Sequence, residues 1–304
     1  VKEYLNAMPD KEVYVNLFPM YASPTQLASS SYEAHIDDYI AKVPTKSISY
    51  DFYGLNSQTD ISHSYYKNLD LVRKKTLDAR RPFWVITQAG RIGTSTIDPN
   101  EEQQRWSVWS NIALGSKGIS YFTYWTPPAD AGLNGSEYMV RRDGTKRDIY
   151  YWIKQINADI YTIGKKLLPC HADGAICSRI SYHHMWTNGS IGRTKYGPIQ
   201  KVGSGLNNYQ VLCGCFRDAR TSENGENYKG YKALVMSKIP NRDVQALLTL
   251  DSAITKITVT HNNTSQEVTI SAGMNVKVGD ITLSYVNDQL AVNIPSGEAA
   301  LIEF

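Results

Sequence analysis

The sequence predicts a mixed α/β part followed by an all-β part. From Val1 to about Leu168, short apolar runs alternate with amphipathic stretches, which is typical of strand–helix repeats around a parallel sheet. Beyond Pro169 the period of the apolar residues changes to two, and Gly, Asn, Thr and Val become more frequent. That change indicates an antiparallel β-sandwich. We therefore expect two domains, residues 1–169 and 170–304.

Four strands are predicted in the first part, and each run of β-branched and aromatic residues is closed by Pro or Gly. Their expected bounds are Glu12–Phe18, Ser47–Tyr53, Phe83–Gln88 and Gly118–Pro128. The fourth run, with the sequence Gly-Ile-Ser-Tyr-Phe-Thr-Tyr-Trp-Thr-Pro-Pro, ends in aromatic residues beside a polar loop. The carboxyl end of a parallel strand is where an α/β protein holds a flat, hydroxyl-rich ligand.

Helices are expected between these strands, because apolar residues recur at steps of three and four. In the predicted helix Asn100–Leu114, Asn100 is the N-cap, and Glu101 and Glu102 suit the positive end of the helix dipole. The predicted helices are Val1–Met8, Ser31–Ala41, Tyr65–Ala79, Asn100–Leu114 and Asp148–Leu168.

The second part is predicted to contain short strands at regular spacing and no helix. Their expected bounds are Tyr209–Phe216, Tyr231–Ser237, Gln245–Leu250, Lys256–His261, Glu267–Ile270, Asn275–Val278, Ile281–Val286, Gln289–Ile294 and Ala299–Phe304.

Composition excludes several function classes. The formal charge of +3 comes from interspersed acids and bases, so nucleic acid is not an expected partner. No apolar run approaches the ~20 residues of a membrane span. The chain has no dinucleotide-binding glycine motif, P-loop, serine elbow or zinc-peptidase motif, so no cofactor is expected.

The four cysteines are expected to be buried free thiols rather than a disulfide framework. Cys213 and Cys215 lie two apart on a predicted strand and therefore share one face. A metal site with His171, His183 and His184 is conceivable, but the cysteine spacings fit no paired metal-ligand motif, so no metal ligand is assigned.

Several motifs, in this order, resemble the second half of the (β/α)8 barrel of bacterial glycoside hydrolases. The resemblance is to the β-galactosidase-like superfamily of clan A, and especially to glycosidases of gut bacteria in which a β-sandwich follows the barrel. It covers roughly Lys11 to Leu168. The motifs are Val-Asn-Leu-Phe-Pro (15–19), Ile-Ser-Tyr-Asp-Phe-Tyr (48–53), Pro-Phe-Trp-Val-Ile-Thr-Gln (82–88), Leu-Gly-Ser-Lys-Gly-Ile-Ser-Tyr-Phe-Thr-Tyr-Trp (114–125) and Ile-Asn-Ala-Asp-Ile (156–160).

The resemblance implies that the four predicted strands are strands five to eight of a barrel. Four strands cannot close a barrel, so the amino-terminal half of the same protein is an expected partner. A secreted or cell-envelope location is favoured over the cytoplasm. The alternative is a self-contained α/β domain with an open four-stranded sheet.

Glycoside hydrolysis usually requires two carboxyl groups that flank the scissile bond. In the family that the chain resembles, the acid/base follows the fourth strand, which would lie upstream of Val1, and the nucleophile follows the seventh. The seventh-strand position falls at or near Gln88, and an amide cannot serve as a nucleophile. This departure puts a retaining mechanism in doubt.

Asp51 is the preferred catalytic or sugar-binding acid, because it is the only carboxylate near the carboxyl end of a predicted barrel strand. By alternation it shares a face with Ser49 and Tyr53. Asn16 and Gln88 are candidates to hydrogen-bond sugar hydroxyls. A purely structural role for Asp51, which would order neighbouring barrel groups, fits the sequence equally well.

Trp125 is expected to stack on a sugar ring, because alternation along the fourth strand would place it on one face with Tyr121 and Thr123. Tyr124 would then pack under a helix. The alternative is that both residues are core aromatics.

Two hypotheses about function follow, in addition to a plain structural role. The first is a glycoside hydrolase-like protein that acts on a glycan, with Asp51 as catalytic residue and Asn16, Tyr53, Gln88 and Trp125 as substrate-binding residues. The second is a non-catalytic glycan-binding or scaffold protein on a degenerate barrel, which the amide of Gln88 favours.

Overall fold

The first part of the chain forms a four-stranded parallel sheet in which the strands follow each other in sequence order. The computed structural model describes residues 1–57, 61–62, 64–128, 133, 136–178, 195–205, 210–218 and 228–304. The four strands are β1 (Asn16–Leu17), β2 (Ile48–Asp51), β3 (Phe83–Gln88) and β4 (Gly118–Phe122).

The described residues of this part form six helices, which are α1 (Lys2–Ala7), α2 (Pro24–Leu27), α3 (Tyr32–Lys42), α4 (Tyr65–Asp78), α5 (Glu101–Ala113) and α6 (Asp148–Leu167). Helices α3 to α6 share one apolar core with one face of the sheet, to which Leu17, Ile48, Tyr50, Phe83 and Val85 contribute. Crossovers between parallel strands are nearly always right-handed, so helices between strands in sequence order are expected on one face of the sheet. The other face stays uncovered by them.

The predicted elements of this part are present, but some strands are shorter than expected. Strand β3 has the predicted bounds, whereas β1 consists of Asn16 and Leu17 alone. Strand β4 ends at Phe122, well before the two prolines. Helix α5 begins where Asn100 caps it, as predicted: the Asn100 side chain accepts from the backbone N–H of Gln103, whose side chain accepts from the Asn100 N–H.

The second part is built from two packed antiparallel sheets, as expected from the alternation of apolar residues. The six-stranded sheet has the order β11-β10-β15-β8-β7-β5 and the five-stranded sheet the order β12-β13-β14-β9-β6. Their strands are β5 (Cys170–Cys177), β6 (Ile199–Ser204), β7 (Val211–Asp218), β8 (Tyr231–Ser237), β9 (Val244–Leu250), β10 (Lys256–His261), β11 (Thr264–Thr269), β12 (Asn275–Val278), β13 (Ile281–Val286), β14 (Gln289–Ile294) and β15 (Ala299–Glu303).

Strands β5 and β6 were not predicted, and both contain a register shift. In β5 the shift lies between Ala172 and Gly174, and Gly174 has a φ of +117°, which favours glycine. In β6 it lies between Ile199 and Lys201. A bulge adds one residue to a strand and so interrupts the two-residue period on which the prediction depends. Tyr209, the expected start of the next strand, lies outside the described residues.

The outer face of the six-stranded sheet packs directly on the helices. Leu212, Phe216, Leu234 and Leu301 belong to the same apolar core as α4 and α5. Gly214 lies in the middle of this face, where a Cβ would be 2.1 Å from the carbonyl oxygen of Ala113 on α5. The absence of a side chain at this position lets the strand and the helix approach closely.

A buried ionic cluster supports the same junction. Arg105 on α5 donates to Asp159 on α6 at 2.7 Å and to Glu101 at 3.1 Å. Its guanidinium also lies 3.5 Å from Glu298, whose other carboxylate oxygen lies 3.0 Å from His261 Nε2. The cluster connects two helices of the first part to the second part.

All four cysteines are free thiols, as expected, and Cys177 is the one that is incompletely buried. Cys213 and Cys215 both point into the core between the two sheets, so they share one face of β7.

Within the part of the chain that the structure describes, no helix has the length and apolar character that crossing a membrane requires.

Candidate functional site

The candidate site is the face of the parallel sheet that the helices leave uncovered, called here the open face. Alternation and register place its side chains in rows across neighbouring strands. One row joins Asn16, Ser49, Trp84 and Gly118, the next joins Asp51, Ile86 and Ser120, and the last joins Gln88 and Phe122. The rows follow one another towards the carboxyl ends of the strands.

Asp51 lies at the carboxyl end of β2 and is the only acidic residue in the four strands. Its Oδ1 accepts a hydrogen bond of 2.6 Å from Asn16 Nδ2 on the neighbouring strand. Asn16 Oδ1 is in turn hydrogen-bonded to Ser49 Oγ at 3.0 Å, and Ser49 Oγ lies 2.6 Å from the Tyr14 hydroxyl. The carboxylate is therefore held at the end of a continuous polar chain that crosses β1 and β2.

The surroundings of Asp51 favour its protonated form. Burial raises the pKa of the Asp51 carboxyl, and the hydrogen bond from Asn16 acts in the opposite direction. Burial raises the pKa of the Tyr21 hydroxyl to about 12, and the negative charge of Asp51 acts in the same direction. The pKa of Tyr53 is raised by the same two causes, so both phenols keep their protons beside the carboxyl.

Two groups of aromatic rings lie along the open face. The Tyr53 ring lies 5.9 Å from that of Phe122, which in turn meets Tyr138 edge-on at 5.9 Å. In the second group the rings of Tyr14 and Trp84 lie 5.8 Å apart. A Cβ at Gly118 would lie 2.6 Å from the indole of Trp84, so the absence of a side chain there leaves room for this ring. A carboxyl group and aromatic rings on the same face of a sheet suit a ligand with both C–H faces and hydroxyl groups.

Gln88 lies at the expected strand end but is almost fully buried. Its Nε2 donates to the carbonyl oxygens of Gly90 (3.2 Å) and Ile97 (2.9 Å), and its Oε1 accepts from the backbone N–H of Leu55 at 3.4 Å. Both amide hydrogens are thus occupied by the backbone. The Gln88 side chain therefore holds together the loops that follow β2 and β3.

The prediction for Trp125 was wrong in its geometry. Strand β4 ends at Phe122, so the alternation assumed for the strand does not extend to Trp125. Trp125 forms an isolated parallel bridge with Val140 and is 49 % exposed. Tyr124 does not pack under a helix: it is 55 % exposed, with its ring 6.2 Å from that of Tyr150 on α6.

Tyr14, Tyr21 and Phe122 were missed as residues of the site. Tyr14 and Phe122 could have been found, because Tyr14 precedes Asn16 by two residues and Phe122 follows Ser120 by two. Tyr21 gave no such signal, since it lies after β1, and its place beside Asp51 depends on how the following loop folds.

The described residues include no group of three or more His, Cys, Asp or Glu side chains that could hold a metal ion. His183 and His184, which entered the conceivable metal site, lie outside the described residues.

The chain matches no protein-family model and no curated protein. Among solved structures it is similar to a β-galactosidase from the psychrophilic Marinomonas ef1, with 13 % identity over 57 % of this chain and 28 % of that one (TM-score 0.42). It is also similar to a glycoside hydrolase family 30 subfamily 8 xylanase from Clostridium acetobutylicum, with 10 % identity over 99 % of this chain and 58 % of that one (TM-score 0.37).

A third similar structure is the Thermotoga maritima α-fucosidase in complex with fucose, with 9 % identity over 100 % of this chain and 85 % of that one (TM-score 0.25). The chain spans less than two thirds of the length of the first two structures. At these TM-scores the similarities are too loose to assign a residue role, and the assignment of the site depends on its own geometry.

Proposed function

We propose that the protein is a glycoside hydrolase-like, carbohydrate-active protein whose open face binds a glycan. The observation that carries the proposal is the state of Asp51. It is the only acidic residue of the four strands, it accepts a 2.6 Å hydrogen bond from Asn16, and burial raises its pKa at the carboxyl end of a parallel sheet. A raised carboxyl pKa is what a general acid requires, and strand carboxyl ends carry the catalytic residues of (β/α)8 barrels.

We also propose that β1 to β4 are strands five to eight of such a barrel, with residues 1–169 as a partial barrel domain and 170–304 as a β-sandwich domain. Doubly wound sheets carry helices on both faces, whereas barrels carry them on one. Here α3 to α6 lie on one face, and the outer edges of β1 and β4 pair with no strand within the described ranges. Four further strands from the other half of the same protein would pair with both edges and enclose the open face.

In this arrangement Asp51 donates a proton to the glycosidic oxygen, and a second carboxyl group belongs to the other half of the barrel. The two carboxyl groups would lie ~5–5.5 Å apart in a retaining enzyme and ~6.5–9.5 Å apart in an inverting one. Asn16 orients Asp51, while the rings of Tyr53 and the partly exposed Trp125 offer stacking surfaces for sugar C–H faces. Gln88 contributes by fixing the loops around the site.

The second candidate function is glycan binding without catalysis. The observation that favours it is the environment of Gln88, whose position would carry the nucleophile in the family that the chain resembles. An amide cannot attack an anomeric carbon, and both hydrogens of this amide are bound to backbone carbonyl groups.

The test compares the complete protein, with both halves of the proposed barrel, with its Asp51→Asn variant on aryl β-galactosides, related aryl glycosides and a glycan panel read by thermal shift. Asp38→Asn is the matched control, because Asp38 is exposed and pairs only with Lys42 among the contacts described. We expect Asp51→Asn to lower hydrolysis by about 10²–10⁴-fold, the usual contribution of a general acid, and Asp38→Asn to leave it unchanged.

The alternatives give different results. Glycan-induced thermal shifts without hydrolysis by the wild type favour the binding protein. Hydrolysis that Asp51→Asn leaves intact contradicts the role of Asp51, and the absence of both hydrolysis and thermal shifts contradicts both functions.

A further inference from the structure

A cavity of about 390 Å³ lies at the opposite end of the parallel sheet from Asp51. Its wall includes Phe83, the first residue of β3, and Lys117, which immediately precedes β4, so it borders the amino ends of these strands. Cys170, His171 and Ala172 of β5 form the facing side. The cavity therefore lies at the junction between the two parts of the chain and is separate from the open face.

The charged residues in the lining of this cavity are all basic, although most of the lining is apolar. It contains Arg73, Arg80, Arg81, Lys117 and His171 but no aspartate or glutamate. Asp70 is bound to Arg73 at 2.7 Å and to Lys74 at 3.1 Å and is not part of the lining. In the described part of the chain, no carboxylate forms an ion pair with Arg80, Arg81 or Lys117. The charges of Arg80, Arg81 and Lys117 are thus not balanced by a carboxylate ion pair, and together they create a positive potential that attracts an anion.

The ammonium group of Lys117 is partly buried beside this cavity, and burial disfavours its charge. Its Nζ donates to the carbonyl oxygens of Leu167 (2.6 Å) and Cys170 (2.8 Å), which use two of the three hydrogens of the ammonium group. Burial lowers the pKa of this amine to about 8. A bound anion would supply the missing negative charge and accept the third hydrogen.

The remaining lining is largely apolar and includes Leu77, Pro82 and Phe83. The volume falls within the ~300–1,000 Å³ of small-molecule sites. An inorganic ion alone would leave the apolar wall without a partner, whereas an organic body attached to the anion would cover it. We propose that this cavity binds a small organic anion with a phosphate or sulfate group, held by Lys117, Arg80 and Arg81 while its organic part packs on Leu77 and Phe83.

The test measures binding of phenyl phosphate, phenyl sulfate, inorganic phosphate and neutral benzyl alcohol to the full chain by calorimetry. We expect one of the two phenyl esters to bind at least about tenfold more tightly than inorganic phosphate, and benzyl alcohol not to bind; a factor of ten corresponds to ~1.4 kcal/mol. Which ester binds more tightly identifies the anionic group. Equal affinities for inorganic phosphate and both esters contradict the organic part of the proposal, and the absence of binding contradicts the site.

Variants locate the binding within the protein. Arg80→Gln changes an exposed side chain and should fold, and Lys117→Met keeps the aliphatic stem but removes the charge. Each should weaken binding of the preferred ester about tenfold or more, as expected for a hydrogen bond to a charged group. The exposed Lys154→Gln on α6 is the control and should change nothing.

The Lys117 ε-carbon NMR signal gives an independent reading that does not depend on a variant. Binding of the ester should raise the pH at which this signal titrates, because the anion stabilises the ammonium form. An unchanged titration, or binding that survives both Arg80→Gln and Lys117→Met, overturns the proposal.

Discussion

Asn16 and Asp51 lie on neighbouring parallel strands, and the amide of the first donates to the carboxyl group of the second at 2.6 Å. The two residues are 35 positions apart in the sequence, and the register that pairs Asn16 with Ser49 brings them together. The same hydrogen bond opposes the effect of burial, which raises the pKa of the Asp51 carboxyl. The folded protein thus maintains a carboxylate in an environment that disfavours its charge.

Asp51→Asn is expected to raise the free energy of unfolding at neutral pH by about 0.5–2 kcal/mol. A carboxyl whose pKa is higher in the folded than in the unfolded protein costs stability once the pH exceeds both values. The amide removes this cost and still offers an oxygen to Asn16. The gain should shrink as the pH falls towards the unfolded value of ~3.9, which urea denaturation from pH 4 to 7 would measure. A variant less stable than the wild type at pH 7 would contradict this account of Asp51.

The stability of the protein should rise with pH through the titration of Lys117. Its pKa is lowered to about 8, so above this pH the folded protein binds fewer protons at the amine than the unfolded chain does. The gain begins near pH 8, is complete near the unfolded value of ~10.4, and has a slope of at most about 1.4 kcal/mol per pH unit.

The measurement compares the pH dependence of unfolding of the wild type with that of Lys117→Met. Subtraction removes the contribution of the tyrosines, which titrate in both proteins. Because a neutral amine retains two hydrogens, the contacts with Leu167 and Cys170 persist at high pH. Parallel curves for the two proteins between pH 8 and 10 would show that Lys117 does not titrate in this range.

Arg105→Met should destabilise the protein by about 3–5 kcal/mol, because it leaves Asp159 and Glu298 buried without their cation. Lys256→Met is the matched control. The ion pair between Lys256 and Glu267 has the same chemistry at 2.9 Å, but both side chains are more than 60 % exposed, so its loss should cost less than about 1 kcal/mol. Denaturant unfolding gives both values, and equal losses would mean that the buried cluster adds nothing to the junction.

Gly214→Ala should destabilise the junction between β7 and α5 by about 1–3 kcal/mol or more, because the new Cβ would lie 2.1 Å from the Ala113 carbonyl oxygen. Gly203→Ala on β6 is the control, since its Cβ would meet nothing closer than 3.5 Å. Thermal unfolding would rank the two variants. A Gly214→Ala protein as stable as Gly203→Ala would mean that helix and sheet can separate at no cost.

The predictions from sequence succeeded where a single local signal set the structure. Phe83–Gln88 follows a proline, alternates between core and open face, and ends before Gly90, and β3 has these bounds. The cap at Asn100 is equally local. The predicted extent of the fourth strand, Gly118–Pro128, was wrong, because the pairing with β3 stops at Phe122, and with it went the alternation assumed for Trp125. Where a strand leaves its sheet is decided by its neighbours and not by its own residues.

The candidate site was only partly predictable for the same reason. The position of Asp51 followed from its place at a strand end, and its sharing a face with Ser49 followed from alternation. The contact between Asn16 and Asp51 required the register of β1 on β2, which no pattern within either strand encodes. The role of Gln88 depends on where the loops at Leu55 and Ile97 return, so the sequence offered only an amide at a strand end.

Helices α4 and α5 share one apolar core with the six-stranded sheet. This shared core determines when the first part of the chain can finish folding during synthesis. Leu301 on β15 belongs to this core, and β15 is made after the fourteen other strands named above. Until translation passes it, the outer surfaces of α4 and α5 lack part of their cover, although every residue of the parallel sheet has already been made. The nascent chain must therefore wait for about 180 further residues, at the ~5–20 residues per second of translation, before the helices are enclosed.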